Sequence, residues 1–258
     1  MPSRHPNVPG LISDRWGHSH LDRPNFPAEM EWWAPQLSGI KGSTTTGLNS
    51  VSQSGASWTV AVNTGATADV GDGIVYYWDI PNLWSGKGMR AKLPFVCWVS
   101  IEITATDFTG SAVPELYLST GLTETGSGLP SETLAVSGLH WDSATHANVD
   151  VVAGIHDTGG DGSRSGAQAG VIGYVSTIEV GPNRRIMAVQ THSCQATAPT
   201  WKYTKRASST GIQWDTTDEP VLFLALGRVS AGSGQTETVT FKFHAMFAPQ
   251  PSAWYPNE

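Results

Sequence analysis

From about Ser43 onward the chain is built of short alternating or wholly apolar runs, separated by clusters of Gly, Ser, Asp and Asn. Alternation with a period of two marks a strand with one buried face, and a bounded apolar run marks a strand buried on both. Strands are predicted over residues 57–63, 73–80, 95–107, 115–119, 133–139, 147–153, 170–180, 185–191, 200–206, 221–229 and 236–247. The last is the clearest. Val239, Phe241, Phe243, Ala245 and Phe247 share one face, and Thr238, Thr240, Lys242 and His244 share the other. Such a strand sets one face in a core and the other against water or a polar partner. Helical periodicity is nearly absent; Glu29-Met30-Glu31-Trp32-Trp33 could form one turn before Pro35. The segments 126–130, 157–162 and 231–234 are loop chemistry. Many strands without intervening helices predict an all-β, antiparallel two-sheet β-sandwich, jelly-roll-like, and no fixed-period repeat points to a propeller or β-helix.

The two ends differ from this body. Pro2, Pro6, Pro9, Pro24, Pro27 and Pro35 crowd the first segment and Pro249, Pro251 and Pro256 the last, leaving seven of sixteen for the middle. Proline fixes φ and removes a backbone donor, so both ends should run extended. They also carry Trp16, Phe26, Trp32, Trp33, Trp254 and Tyr255, although free tails are normally poor in aromatics. An arm so long and polar is expected to lie on neighbouring subunits. The predicted organisation is a docking arm over 1–36, a Ser/Thr/Gly-rich linker or edge strand over 37–56, a sandwich body over 57–248 and a proline/aromatic tail over 249–258. The edge-strand alternative would run through Leu48 and Val51. Arg15, Trp16, His18, His20, Phe26, Trp32 and Trp33 are the arm's candidate docking residues.

Hydrophobic residues make up 39% of the chain and charged residues 14%, so its polarity comes from Ser, Thr, Gly and Asn, a composition that favours strands and turns. A formal net charge of -7 argues against a nucleic-acid partner, which requires a basic patch; Arg184, Arg185, Lys202, Lys205 and Arg206 are too few and scattered. No apolar run reaches the length of a membrane helix, so membrane insertion is not expected, and the first residues lack the apolar region of a secretory signal. Alternation places Cys97 on a core face with Phe95, Val99, Ile101 and Ile103, as a buried thiol, with a disulfide to Cys194 as the alternative.

The candidates for chemistry are sparse. His18 and His20, with Asp14 and Asp22, offer ligand types, but a proline-rich arm seldom preorganises a metal site. The loop from His156 to Arg164 has two carboxylates on glycines without the spacing of a calcium hand. No Gly-x-Ser-x-Gly elbow or Gly-rich phosphate loop is present. Glu102, Glu115, Glu179 and Asp142 are carboxylates with no assignable convergence. No catalytic residue, metal or cofactor is therefore expected, and the chain is read as a non-enzyme. Eleven tryptophans are the most unusual count; Trp78, Trp98, Trp141, Trp201 and Trp214 lie in or beside predicted strands and could serve a core, an interface or a sugar-stacking platform. Trp141 with Asp142, and Trp214 with Asp215, border polar loops and are the candidate glycan contacts.

The closing strand 238–247, the strand and glycine loop Leu116-Tyr117-Leu118-Ser119-Thr120-Gly121, and the absence of a signal sequence together resemble tailed-bacteriophage virion proteins. That resemblance implies a sandwich behind an N-terminal docking segment, commonly a trimer, in a tail fibre, minor tail protein or head decoration. It implies a tail-associated adhesion module assembled into the virion through its arm on other virion proteins, as a homo-oligomer with a trimer favoured and a cell-surface glycan as a further partner. A head decoration protein, a lectin-like carbohydrate-binding module and a polysaccharide-active sandwich enzyme are the alternatives.

Overall fold

A computed structural model of the chain describes residues 33–46, 48–64, 73–80, 95–108, 116–124, 135–141, 148–155, 162–164, 168–181, 186–195, 202–208, 220–228 and 235–249. These form fifteen strands and one short 3-10 turn, Leu37–Gly39. In chain order the strands are β1 Gly42–Thr46, β2 Leu48–Ser54, β3 Ser57–Thr64, β4 Gly73–Asp79, β5 Phe95–Asp107, β6 Leu116–Glu124, β7 Ala135–Trp141 and β8 Asn148–Ile155. They continue with β9 Gly162–Arg164, β10 Gln168–Ala169, β11 Val171–Val180, β12 Ile186–Gln195, β13 Lys202–Ser208, β14 Pro220–Arg228 and β15 Gln235–Pro249.

The strands divide into two antiparallel sheets, the predicted two-sheet sandwich. The first runs β1-β4-β14-β6-β7-β8, with β9 and β10 both paired to β8; the second runs β13-β12-β11-β5-β15-β3-β2. β11, β12 and β13 lie across β7 and β8. Each predicted strand coincides with one of these, β5 at both of its ends. The segment read as linker or edge strand supplies an outer strand to each sheet, β1 to the first and β2 to the second. β2 turns into β3 through a two-residue loop in which Gly55 has φ 59, a conformation that suits a residue without Cβ.

The core between the sheets follows from the alternation. Val239, Phe241, Phe243, Ala245 and Phe247 of β15 all face it, as do Phe95, Cys97, Val99 and Ile101 of β5. Trp58, Tyr76, Trp78 and Phe243 pack in one aromatic group with neighbouring ring centroids 5.9–6.3 Å apart. Rings of this size dominate the buried apolar area, and this group accounts for two of the eleven tryptophans. Tyr174 crosses from the second sheet to donate to the Ser137 carbonyl of the first at 3.1 Å, and burial holds its phenol well above the ordinary range. Its hydroxyl is thereby satisfied inside the core. Cys97 is fully buried and Cys194 partly buried; both are free thiols, and burial raises the pKa of each.

Trp33 enters the body rather than standing off it. Its amide donates to the Ala245 carbonyl at 2.7 Å and its carbonyl accepts from the Ala245 amide at 2.8 Å, where β15 runs past the end of β3. Gln53 of β2 then donates to the Pro35 carbonyl at 2.6 Å and accepts from the Leu37 amide at 2.5 Å, while Trp78 Nε1 donates to the Gln36 carbonyl at 2.9 Å. The last residues of the segment read as a docking arm are thus held by backbone and side-chain bonds on this chain's own sandwich.

Candidate functional site

A strand buried on one side only offers every second residue to the outside. On the first sheet part of that outer face is apolar. Val75 and Tyr77 of β4, Val136 of β7, and Val221, Phe223 and Ala225 of β14 form a second apolar cluster, separate from the core, with Tyr117 of β6 packed against it. Glycines make room for the rings. The Phe223 ring lies over Gly121, where an added Cβ would sit 3.0 Å from the ring and 1.9 Å from the Ala135 carbonyl oxygen. The Tyr117 hydroxyl lies over Gly227, where a Cβ would be 2.2 Å away.

Beside this cluster the register sets three polar side chains in one row. Tyr117 is opposite His140, and His140 is opposite Asp150, on the adjacent strands β6, β7 and β8. Their neighbours in sequence, Leu116 and Leu118, Leu139 and Trp141, and Val149 and Val151, are buried in the core, so the row faces outward. His140 Nδ1 is 3.8 Å from Asp150 Oδ2, beyond a hydrogen bond. Asp150 Oδ1 is buried without a hydrogen-bond partner. Burial pushes the Tyr117 phenol up to about 12, so it stays a neutral donor.

The outer face of the second sheet is settled differently. Lys242 of β15 donates to both carboxylate oxygens of Glu102 of β5 at 3.2 Å. Gln190 and His192 of β12 are bonded at 3.0 Å through Nε2 of each. His192 is a buried strand residue, because β12 runs on past the predicted end at 191. Burial and the nearby Lys242 ammonium hold His244 below its usual pKa. On the core side of β15, Glu237 is 1% exposed, its Oε2 lacks a partner, and burial followed by the Asp107 charge raises its carboxyl to about 7.

Of the candidates named from sequence, Arg15, Trp16, His18, His20, Phe26, Trp32, Asp142, Trp214 and Asp215 lie outside the described residues. Trp33 is on the body, as above. Trp141, a candidate glycan contact, instead lies in the core at 3% exposure with its ring edge-on to Phe108 at 5.8 Å, because the alternation of β7 turns it inward. A stacking platform needs an open ring face. Trp78 and Trp98 are buried too. Glu102 and Glu179 share the outer face of the second sheet but stand six register steps apart, about 20 Å along the strands, too far for a carboxylate pair. No cluster of three or more metal-ligating side chains occurs among the described residues, and none of their helices is long and apolar enough to cross a membrane. The Tyr117–His140–Asp150 row was missed from sequence because only the pairing register brings it together.

No protein-family model and no curated protein sequence matches the chain. Solved structures do share its fold. The CBM2 module of the evolved Dit of Lactobacillus casei BL23 phage J-1 superposes with a TM-score of 0.52 at 12% identity, over 90% of this chain and 95% of that one. The winged bean acidic lectin, complexed with methyl-α-D-galactose, gives a TM-score of 0.49 at 11% identity, over 86% of this chain and 100% of the lectin. At such identities the likeness is one of fold: this chain is a jelly-roll-like β-sandwich of the architecture that the phage Dit module also has.

Proposed function

We propose that the chain is a non-enzymic, glycan-recognising sandwich module of a tailed-phage particle, tail-associated, attached through residues 1–36 and presenting its body outward. The observation that carries this reading is the likeness to a phage Dit module described as CBM2, which spans nearly the whole of both chains. The latch at Trp33 supports it further, because it ties the residue that follows 1–32 to β15 of the sandwich. An arm joined at a fixed point can hold the body in a set orientation, where a flexible linker would not. The absence of a carboxylate pair between Glu102 and Glu179 supports recognition over hydrolysis at the described residues.

The test has two arms. Deleting residues 1–32 should leave a folded body that binds host cell walls but is no longer incorporated into particles; incorporation of the truncated chain removes the docking role. The full chain should sediment with host cell walls and be released by polysaccharide prepared from them; failure on both counts removes the glycan role.

A further inference from the structure

An edge strand exposes backbone N–H and C=O groups that another strand can pair, and proteins usually guard such edges with charges, prolines or bulges. The second sheet ends in β13 on one side and β2 on the other. β13 is guarded: Lys202, Lys205 and Arg206 lie along its seven residues. β2 carries no such guard. Between Lys41 and Asp69 the chain has no charged residue and no proline, its longest such interval, and all of β2 falls inside it. The one irregularity, a register shift between Leu48 and Ser50, leaves residues 50–54 in continuous pairing with β3. The hairpin decides which backbone groups are open. Ser54 and Ser57 close the two-residue loop, so Ser50, Ser52 and Ser54 turn their backbone groups to β3, and Val51 and Gln53 turn theirs outward. The other side of β3 has the matching phase, since the Ala56 carbonyl accepts from the Phe243 amide of β15 at 3.0 Å. No described residue bonds the Val51 or Gln53 backbone on the open side. Ser50, Ser52 and Ser54 are exposed, so this stretch of edge is open to solvent.

We propose that β2 is a self-recognition edge: it pairs antiparallel with β2 of a second copy across a twofold axis at Ser52, joining the two second sheets into one. This goes beyond the glycan-recognition reading and does not depend on it. The strand's own sequence selects the partner. In that register Val51 faces Gln53 of the copy, and their open N–H and C=O groups bond across the axis. Ser52 then faces Ser52, and Ser50 faces Ser54, pairs of small hydroxyl side chains that can hydrogen-bond between strands. A twofold contact sets a strand against its own sequence, so any charge near the axis would meet its like. β2 has none, whereas the three basic side chains of β13 would repel their copies. A foreign strand would impose no such neutrality and would be better held by charges complementary to its own.

The experiment follows the mass of the full-length chain by sedimentation over a concentration series, with hydrogen exchange of the Val51 and Gln53 amides as the backbone readout. The wild type should form a dimer, and these amides should exchange about tenfold or more slower at dimer concentrations than in the dilute monomer. Ser52→Lys and Ser52→Glu should each weaken dimerisation by about tenfold or more at low salt, and an equal mixture of the two should restore it, because opposite charges then meet at the axis. Ala105→Lys, at an exposed position on the inner strand β5, should leave the dimer unchanged. Should either Ser52 variant fail to fold, the concentration dependence of the two wild-type amides carries the test. A wild type that stays monomeric at every concentration overturns the proposal. A dimer or trimer that both Ser52 variants retain overturns it as well, since the copies then meet on another surface. Slow exchange at Val51 and Gln53 that does not change with concentration shows the edge covered from within the chain, and overturns it too.

Discussion

The outer faces of the two sheets solve the same problem in different ways. Both belong to antiparallel sheets that cover one core, and both could have been plain polar surfaces. On the second sheet the centre is closed by Trp98 and Met246, and three pairs of polar groups surround it: Lys242 with Glu102, Gln190 with His192, Thr59 with Thr240 at 3.2 Å. On the first sheet an apolar cluster floored by glycines stands beside a row that contains an unpaired carboxylate oxygen. Hydrogen-bond satisfaction alone does not separate the faces, since Thr177 Oγ1 on the second is also buried without a partner. What separates them is the size of the apolar layer that the first sheet carries outside the core.

The largest effect expected from breaking this contrast is on the first sheet. Phe223 is fully buried although it points away from the core. If its cluster is a true packed layer, Phe223→Ala should cost about 3–5 kcal/mol, as a core phenylalanine does. Denaturant unfolding would check it, with Thr240→Ala on the second sheet as the comparison, expected near 1 kcal/mol for one lost side-chain bond. Equal losses would mean that the two faces do not differ in this way.

Gly121→Ala should follow at about 3 kcal/mol or more. The residue has φ 156, and an added Cβ would meet the backbone oxygen of Ala135 at 1.9 Å, which no side-chain rotation relieves. Gly39→Ala, with nothing within 4 Å of its Cβ, is the matched control and should change stability by no more than about 0.5 kcal/mol. Thermal unfolding of both separates a general glycine effect from the specific need for a flat floor beneath Phe223.

How far all this is legible in the sequence depends on whether a strand's two faces differ. β15 is amphipathic over most of its length, so its core residues could be named in advance. Even there Met246, on the polar parity, is 2% exposed, because the outer face closes near Trp98. β4 and β14 read as continuous apolar runs, and nothing in such a run says that Phe223 and Tyr77 face out while Leu222 and Trp78 face in. β1 and β2 are Ser/Thr-rich and sit at sheet edges, held by backbone pairing that leaves little side-chain signal. β9 and β10 are too short to show a period. The Tyr117–His140–Asp150 row is a product of register across three strands, and register is set by pairing that a one-dimensional pattern does not carry. Trp141 illustrates the opposite error: proximity to a polar loop suggested exposure, and the parity of its strand decided otherwise.

Glu237 offers a buried acid of a second kind, on the core side of the second sheet, with its unpaired oxygen facing protein. Its carboxyl sits at about 7 against an ordinary 4.5, so the folded chain holds the proton more tightly than the unfolded chain. The stability this contributes is fully present below about pH 4.5 and is lost as pH rises through about 7, to the extent of about 3 kcal/mol. His244, whose pKa is lowered, has the opposite slope, losing stability as pH falls, and so partly masks the effect in the wild type. The difference between wild type and Glu237→Gln isolates the glutamate: the variant should match the wild type at acid pH and exceed it above pH 7. A difference independent of pH would show that the carboxyl is not buried in solution.

The smallest effect belongs to Lys242→Ala, and its smallness is the point. The Lys242 and Glu102 side chains are 44% and 43% exposed, so water and salt screen the pair although both carboxylate oxygens are engaged. Partly exposed pairs of this type contribute about 0.2–1 kcal/mol, less as salt is added. Removing the ammonium should therefore cost about 0.5 kcal/mol at low salt and nothing measurable at high salt. It should also raise the pKa of His244, because the lysine is one of the charges that depresses it. An NMR titration of the His244 ring, run with the unfolding curves, reads both consequences in one sample. If the ring does not respond, Lys242 is not near His244 in solution, and the paired character assigned to this face must be withdrawn from its centre outward.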